Sequence, residues 1–213
     1  MTGAPADDIG LLDALRRVEL PTLGHFLEEG FVDPRVAAIT RSPQLVGFAR
    51  TLDLREPDAY AVNRALLETQ SGEVLVIRVA GGAHAPVGAV TASAAIARGI
   101  AGIVVDGPVT DAQALRASQD QLAVYATGLT ARTTKRSGAL SASSVGSPVV
   151  IGGVQVANGD LVLGDEHGVL VLSGGRIDPE VLDAALVSDR DEPELLARIA
   201  AGEPLASVLP IGP

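Results

Sequence analysis

One carboxylate of this 213-residue chain directly follows a strongly apolar stretch, and it is the first candidate for chemistry. Residues 88–111 read GAVTASAAIARGIAGIVVDGPVTD, which predicts a helix, a glycine turn, a buried strand and a sharp Asp-Gly-Pro turn before Asp111. A carboxylate oxygen in that position is a ligand for a hard cation. Aspartate is also a preferred helix N-cap, and residues 112–116 form the helix that Asp111 would cap. Both interpretations of Asp111 are open at this point, whereas Asp106 is interpreted as a turn former.

The composition restricts the other chemistry that the chain can support. It has no cysteine, which excludes a disulfide, a thiolate metal site and a cysteine nucleophile. Its three histidines, His25, His84 and His167, argue against a histidine-rich zinc centre. A bound metal is therefore predicted to have oxygen ligands and to resemble Mg²⁺ or Mn²⁺.

The charge balance argues against a nucleic-acid partner. The formal net charge is −10, whereas phosphate binding needs clustered lysine and arginine. The best basic cluster consists of Arg132, Lys135 and Arg136, which is small. Aromatic residues make up 2% of the chain, so platforms for base stacking are poorly supported.

The hydrophobic pattern argues against a membrane protein. No apolar run approaches the ~20 residues that a membrane-spanning helix requires. The first residues, MTGAPADDIG, are acidic and polar, unlike a signal peptide. We therefore expect a cytoplasmic protein without membrane contact.

The periodicity predicts helices alternating with buried strands. Helices are expected at 7–19, 22–30 with Thr22 as N-cap, 58–69, 88–98, 111–117 and 178–209, the last with a break before Pro204. Strands are expected at 45–54, 73–80, 103–105 and 122–126, and this alternation indicates an α/β fold with parallel pairing. Residues 149–172 contain four short β-rich runs that predict hairpins, with Asn158-Gly159 as the strongest turn signal.

No low-complexity linker divides the chain, so we predict one domain. Within it, residues 1–20 are an N-terminal helix, residues 21–175 an α/β core and residues 176–213 a C-terminal helical arm.

The order and spacing of these segments resemble the RraA-like family. The resemblance rests on PTLGHFLEEG, SGEVLVI, VGAVTASAAIARGIAGIVVDGPVTD, PVVIGGVQVANGDLVLGDEHGVLVL and RIAAGEPLASVL, and it covers residues 21–209. The family includes regulators of ribonuclease E activity and metal-dependent 4-hydroxy-4-methyl-2-oxoglutarate aldolases that also decarboxylate oxaloacetate. It implies a single-domain α-β-β-α sandwich of the swivelling type, assembled as a homotrimer or a hexamer with active sites between subunits.

The aldolase motif of this family is changed in the present chain. The motif is an Asp, twenty residues, then Arg-Asp, and the corresponding residues here are Ala89, Thr110 and Asp111. The resemblance implies that Asp111 holds a divalent metal that chelates the pyruvyl group of a keto acid. In the family the arginine pairs with the substrate and stabilises the enolate, and the first aspartate helps to hold a metal-bound water.

This substitution pattern affects the chemistry that the family performs. Retro-aldol cleavage and β-decarboxylation both leave electrons on a pyruvate enolate, which a divalent cation stabilises as a Lewis acid. A guanidinium grips a carboxylate at two points, whereas Thr110 offers one hydroxyl. Losing such a contact costs about 2–4 kcal/mol. We therefore expect a changed substrate or a weakened activity.

The resemblance also implies substrate-binding residues around this motif. Backbone amides at Gly88, Ala89 and Val90 are expected to hold the substrate carboxylate. The nearby Gly81-Gly82 loop resembles an anion cradle, although glycine also simply ends strands. His84 is a candidate catalytic base that compensates for the lost groups, and its alternative is a surface histidine without a role.

Three further residues have a functional and an ordinary interpretation. Asn63 and Lys135 would line the substrate cleft, or they would be solvated surface side chains. Glu192 corresponds to the glutamate that reaches a neighbour's metal, with Asp191 and Glu194 as competitors. The alternative is that residues 191–194 (DEPE) form the first turn of a helix, with Pro193 at or near N1.

Three functional classes follow from these observations. The favoured one is a divalent-metal-dependent lyase acting on a small keto acid with a pyruvyl-like group, with Thr110, Asp111 and His84 at its catalytic centre. The second is a ribonuclease-regulator-like oligomer that binds a protein partner through its acidic surface. The third is a catalytically degenerate small-molecule-binding protein.

Overall fold

The computed structural model describes residues 6–41, 44–135 and 142–209. The helices of this part of the chain are α1 (Ala6–Leu15), α2 (Leu20–Leu23), α3 (Ala59–Glu68), α4 (Ala89–Ala97), α5 (Ala112–Ala117), α6 (Pro179–Ala200) and α7 (Leu205–Val208). The strands are β1 (Ala37–Ala38), β2 (Leu45–Leu54), β3 (Val74–Val79), β4 (Gly102–Val109), β5 (Ala123–Leu129), β6 (Ser144–Val145), β7 (Val149–Ile151), β8 (Val154–Val156), β9 (Leu161–Asp165) and β10 (Gly168–Leu172).

A mixed sheet forms the centre of the fold. Strands β2, β3, β4 and β5 are parallel and adjacent, β1 pairs antiparallel with β5, and β9 and β10 continue the sheet beyond β2. The segment that leads into β1 also hydrogen-bonds to β10, through Val32 N to Val169 O at 2.9 Å and Val171 N to Gly30 O at 2.9 Å. Since this segment contacts both ends of the strand order, the sheet is nearly closed.

Four layers pack around three hydrophobic clusters. The first cluster joins α3, α4 and α5 to one face of β2–β5. The second lies between the other face of these strands and β7–β10. The third joins α1, α2 and α6 to β9 and β10. The order of layers is helix, sheet, sheet, helix, which confirms the predicted α/β class and α-β-β-α arrangement.

The apolar strands are buried on both faces. In β3, Leu75 and Ile77 face the helices, whereas Val74 and Val76 face the space between the sheets. Parallel strands covered on both sides read as continuous apolar runs, which is why the sequence identified this strand. The predicted strand at 45–54 and helix at 58–69 are also confirmed.

The predicted Asp-Gly-Pro turn is wrong. Asp106, Gly107 and Pro108 lie inside β4, which runs on to Val109. The register with β5 shifts between Val105 and Pro108, and such an irregularity accommodates a residue that has no N–H to donate. Asp106 is therefore not a turn former, and its carboxylate accepts a hydrogen bond from Gly152 N at 3.0 Å.

The predicted hairpin at Asn158-Gly159 is also wrong. Strand β8 pairs with β7, whereas β9 pairs with β2 and β10, so residues 157–160 connect two different sheets. The Asn158 side chain accepts hydrogen bonds from the backbone N and the hydroxyl of Thr51, both at 2.9 Å. The turn itself forms, with Asp160 N donating to Ala157 O at 3.2 Å, but the two strands that flank it do not pair with each other. The other two hairpins, β7–β8 and β9–β10, are confirmed.

Two predicted details of the helix starts, the roles of Thr22 and Pro193, are wrong. Helix α2 has Glu19 as N-cap, and Thr22 lies within the helix, where its hydroxyl donates to the Asp189 carboxylate. Helix α6 begins at Pro179, with Asp178 accepting from Glu180 N at 2.9 Å, as the helix predicted over 178–209 requires. The alternative that residues 191–194 form a first turn is wrong, because Pro193 lies inside this helix. An earlier and better capped start explains this outcome. The break before Pro204 is confirmed, because Pro204 is the N-cap of α7.

Within residues 6–41, 44–135 and 142–209, none of the helices combines the length and apolar character needed to cross a bilayer.

Candidate functional site

The candidate site lies where β3 and β4 end at the same edge of the parallel sheet. The chain leaves β3 into a loop that reaches Gly88, and it leaves β4 into Thr110 and Asp111. Thr110 N donates to Val87 O at 2.9 Å, which holds the two connections together. In open parallel sheets this edge is where ligands bind.

Asp111 adopts a left-handed backbone conformation, with φ +55° and ψ 43°. It is the one residue other than glycine with positive φ among those described. It occupies the N-cap position of α5, but its side chain makes no capping hydrogen bond to that helix. The predicted role of Asp111 as a cap of its own helix is therefore wrong.

The Asp111 carboxylate instead caps the neighbouring helix. Its Oδ2 accepts a hydrogen bond from Ala89 N at 2.9 Å, at the first residue of α4. The N-cap of α4 is Gly88, which has no side chain to perform this task. A carboxylate at a helix N-terminus also interacts favourably with the helix dipole.

Gly88 is required by the closeness of this contact. A Cβ placed on Gly88 would lie 2.5 Å from Asp111 Oδ2 and 2.7 Å from Thr110 Cγ2. The φ of Gly88 is −149°, an extended value that other residues adopt, so the constraint is steric. The expected anion-binding role of the Gly88 backbone stays a prediction, and the structure shows in addition a close approach of two connections at this glycine.

Thr110 adds no charge to this arrangement. Its Oγ1 lies 3.5 Å from Asp111 Oδ1, at the outer limit of a hydrogen bond, and its methyl group faces Gly88. The Asp111 residue is exposed, and none of the ion pairs among the described residues involves it. Oδ1 is therefore the carboxylate oxygen most accessible to a ligand.

Residues 130–135 form a third segment beside the site. Thr130 N donates to Val109 O at 2.9 Å, and Ala85 N donates to Arg132 O at 2.7 Å. The half-buried His84 immediately precedes Ala85, so it lies next to this segment. The structure thus places His84 and Arg132 on neighbouring backbone segments at the edge where Asp111 lies.

Lys135 and Asn63 are both exposed. Lys135 O accepts from Ala59 N at 2.8 Å, which holds Lys135 at the beginning of α3. Asn63 lies one turn further along the exposed face of that helix. Their predicted contact with a substrate stays a prediction, and Arg136 lies outside the described residues.

Glu192 is exposed on α6, and the structure shows no contact between it and Asp111. It lines a groove of about 520 Å³ together with His25, Asp191 and Glu194. No group of three or more histidine, aspartate or glutamate side chains suited to a metal occurs within the part of the chain that is described. The predicted role of Glu192 at a neighbour's metal requires a second copy of the chain.

Asp111 fits a hard divalent cation as one ligand rather than as part of a complete cage. Mg²⁺ commonly keeps several waters and takes one or two protein carboxylates together with oxygens of the substrate. The accessible Oδ1 supplies one such oxygen, while Oδ2 is held by Ala89 N. The donor set is therefore compatible with the predicted Mg²⁺ or Mn²⁺.

Fold and site together define an α/β protein with a carboxylate at the carboxyl edge of its parallel strands. Residues 10–171 match the family model described as RraA-like, aldolase/RraA. Because this match covers well over half of the chain, the protein belongs to the RraA-like family.

Two similar proteins support this assignment, and a third shares the fold. A protein of Halalkalibacterium halodurans named "Putative 4-hydroxy-4-methyl-2-oxoglutarate aldolase" is 32% identical over 158 residues, which are 74% of this chain and 72% of that protein. The structure of Streptomyces coelicolor RraAS2, called an unusual member of the RNase ES inhibitor RraA family, is 27% identical, covers 90% and 98% of the two chains and has a TM-score of 0.68. A protein of unassigned function from Pseudomonas syringae shares the fold, with 24% identity, coverage of 94% and 92% and a TM-score of 0.77.

Proposed function

We propose that this protein is a divalent-metal-dependent carbon–carbon lyase that acts on a small keto acid with a pyruvyl-like group. The observation that supports it is the position of Asp111, which presents one carboxylate oxygen to a ligand beside the first turn of α4. The family membership and the aldolase name of a 32% identical relative agree with this class of reaction. Asp111 and, from a neighbouring subunit, Glu192 would hold Mg²⁺ or Mn²⁺, which when bound supplies Lewis-acid polarisation of the keto group.

The first turn of α4 is the proposed binding site for the substrate carboxylate. The first N–H groups of a helix have no partner within the helix, and the helix dipole favours an anion there. Ala89 N already donates to Asp111, so the amides of Val90 and Thr91 are the ones available for a substrate. Val90 is 84% exposed, which leaves space beside its backbone for a ligand.

Cleavage also needs a group that moves a proton, and His84 is the proposed one. In a retro-aldol reaction the bond between C3 and C4 breaks, the 4-hydroxyl loses its proton and C3 of the released pyruvate gains one. His84 is half-buried on the loop that leads to Gly88, and an imidazole is suited to both transfers near neutral pH.

We expect a substrate that differs from that of the family's aldolases. Ala89 and Thr110 carry no charge, so this pair cannot grip a second carboxylate as a guanidinium does. The exposed Arg132 approaches the loop from another side, and in this proposal it replaces the missing positive charge.

The proposal is tested by measuring Mg²⁺-dependent release of pyruvate from oxaloacetate and from 4-hydroxy-2-oxo acids. Asp111→Asn is the informative variant, because asparagine tolerates the left-handed conformation and can still accept from Ala89 N. It should leave the fold intact and abolish metal-dependent turnover. Turnover that survives Asp111→Asn, or that needs no metal, would contradict the assignment.

A second candidate function is a catalytically degenerate binding protein, or a ribonuclease regulator like RraAS2. The neutral residues Ala89 and Thr110 favour it, because both lack the charges of the aldolase motif. A protein that binds a metal and pyruvate, detected by thermal stabilisation, without turnover would support a binder. Capture of a ribonuclease without either effect would support a regulator.

Restoring the motif separates a changed lyase from an inactive one. Thr110→Arg combined with Ala89→Asp should raise pyruvate release if the remaining site has kept the family geometry. We also propose a trimer or hexamer with sites between subunits, which light scattering of the purified protein would test.

A further inference from the structure

Two arginine side chains are held by one buried carboxylate at a place that is separate from the candidate site. Asp53 is in β2, and it is paired in register with Arg78 of the adjacent strand β3. Arg78 Nη1 donates to Asp53 Oδ1 at 2.6 Å, and Arg55 Nε donates to Asp53 Oδ2 at 2.7 Å. We call these three residues the arginine clamp.

In the clamp the negative charge is buried and the two positive charges lie at the surface. The Asp53 side chain is only 7% exposed, whereas the side chains of Arg55 and Arg78 are 59% and 42% exposed. An approaching ligand therefore meets guanidinium N–H groups, and the balancing carboxylate lies beneath them. Two guanidinium groups share one carboxylate, so the clamp has one positive charge in excess on a chain whose net charge is −10.

The two guanidinium groups are oriented before any ligand binds. Each arginine uses one of its donor nitrogens on Asp53, which fixes the plane of the fork and leaves its other N–H groups free to donate outward. Burial alone would raise the pKa of Asp53, but the hydrogen bonds from Arg55 and Arg78 outweigh it and lower the pKa below its usual value. Asp53 therefore stays charged at neutral pH and keeps both arginines in place.

Two further carboxylates, Asp106 and Glu56, lie near the clamp, and that of Asp106 is already engaged elsewhere. Asp106, the residue in register with Arg78 on β4, interacts with Arg35 at 3.5 Å and with Gly152 N at 3.0 Å. The exposed Glu56, which follows Arg55 in the chain, is a side chain whose charge would oppose an anion here.

We propose that Arg55 and Arg78, fixed on Asp53, form a binding site for a small oxyanion, either a phosphate or a carboxylate group. The site lies at the carboxyl ends of β2 and β3, where parallel sheets present ligand sites, and on the face of the sheet opposite to α4. It is therefore distinct from the proposed lyase site, and it does not depend on lyase activity.

The test is titration of the whole protein with inorganic phosphate and, separately, with oxalate, at low ionic strength and without divalent metal. We expect saturable binding by calorimetry, weakened about ten-fold or more by Arg55→Gln or Arg78→Gln. Glu56→Gln should strengthen it. Preference for phosphate or for oxalate then identifies which of the two oxyanions the clamp takes.

Matched variants keep the result interpretable. Arg190→Gln removes an exposed arginine that is also ion-paired, with Asp191 at 2.8 Å, and it should leave the affinity unchanged. Arg78→Gln leaves Asp53 partly unpaired, so Asp53→Asn with Arg78→Gln is the variant that preserves the fold while removing the site. The proposal is overturned if the wild type shows no saturable binding of either anion. It is equally overturned if binding survives in these clamp variants, or if Arg132→Gln abolishes it instead.

Discussion

The close approach of Gly88 to Asp111 makes Gly88→Ala the most direct test of the site geometry. The new methyl group would lie 2.5 Å from Asp111 Oδ2, a separation at which one of the two groups must move. Moving the carboxylate breaks its 2.9 Å hydrogen bond from Ala89 N and leaves α4 without its cap. Loss of a helix cap costs about 1 kcal/mol, and overpacking of a tight contact about 1–3 kcal/mol.

We therefore expect Gly88→Ala to lower the free energy of unfolding by about 1–3 kcal/mol. The assay is equilibrium unfolding in denaturant, followed by circular dichroism. Gly10→Ala is the control, because Gly10 lies in α1 with no atom within 4 Å of its would-be Cβ. That exchange should be neutral or stabilising by up to about 1 kcal/mol, since alanine is the better helix former.

A double-mutant cycle shows whether Asp111 is the cause. In the Asp111→Ala background the carboxylate is gone, so Gly88→Ala should cost less by about 0.5 kcal/mol or more. If Gly88→Ala is as stable as the wild type, or costs the same in both backgrounds, the close contact described here does not hold α4.

Three further predictions concern the scaffold. Asp58→Ala should lower the free energy of unfolding by about 1 kcal/mol in denaturant unfolding, because the Asp58 carboxylate caps α3 by accepting from Tyr60 N at 2.9 Å. Asp58→Asn should retain most of the wild-type stability, since asparagine is also a good N-cap. The lowered pKa of Asp53 contributes stability that is fully present above the unfolded pKa of about 3.9 and is lost as the pH falls through the lower folded pKa. Asp53→Asn should remove this pH-dependent contribution, measured by thermal unfolding between pH 5 and 2. An acid limb that is the same in wild type and variant would refute the contribution. Pro193→Ala should restore a helical hydrogen bond to the Asp189 carbonyl and increase amide protection in the second half of α6. Unchanged hydrogen exchange there would show that the bond lost at this proline does not weaken the helix.

The sequence predicted the layers of this fold better than its turns. Continuous apolar runs such as β3 identify strands covered on both faces, because that burial leaves few alternatives. Asn158-Gly159 forms a turn but no hairpin, because a turn signal is local, whereas the side chain of Asn158 binds Thr51 of β2, 107 positions away in the chain. Likewise, Pro108 reads as a strand breaker, and only the register shift against β5 makes it acceptable within β4.

The contacts at the candidate site were not predicted, and the roles of its residues stay predictions. The sequence pattern singled out Asp111 and the family resemblance added Gly88, yet the capping of α4 by a residue 22 positions later depends on how two loops meet. The arginine clamp was missed entirely, because Arg78 is 25 positions from Asp53 and meets it only through the register of β2 with β3. The signal available in the sequence was a charged residue within each of two mainly apolar strands, Asp53 in β2 and Arg78 in β3.

The contact between Asp111 and Ala89 N couples ligand occupancy to the order of a helix end. A ligand that takes only Oδ1 leaves α4 capped, whereas one that draws both oxygens toward itself competes with the Ala89 amide and loosens the first turn. Such a ligand shifts the equilibrium of this turn toward its frayed form by some factor. By thermodynamic reciprocity, fraying of the turn raises the affinity of the ligand by the same factor. The hydrogen-exchange rate of the Ala89 amide therefore reports whether Asp111 Oδ2 is bound to that amide or to the ligand.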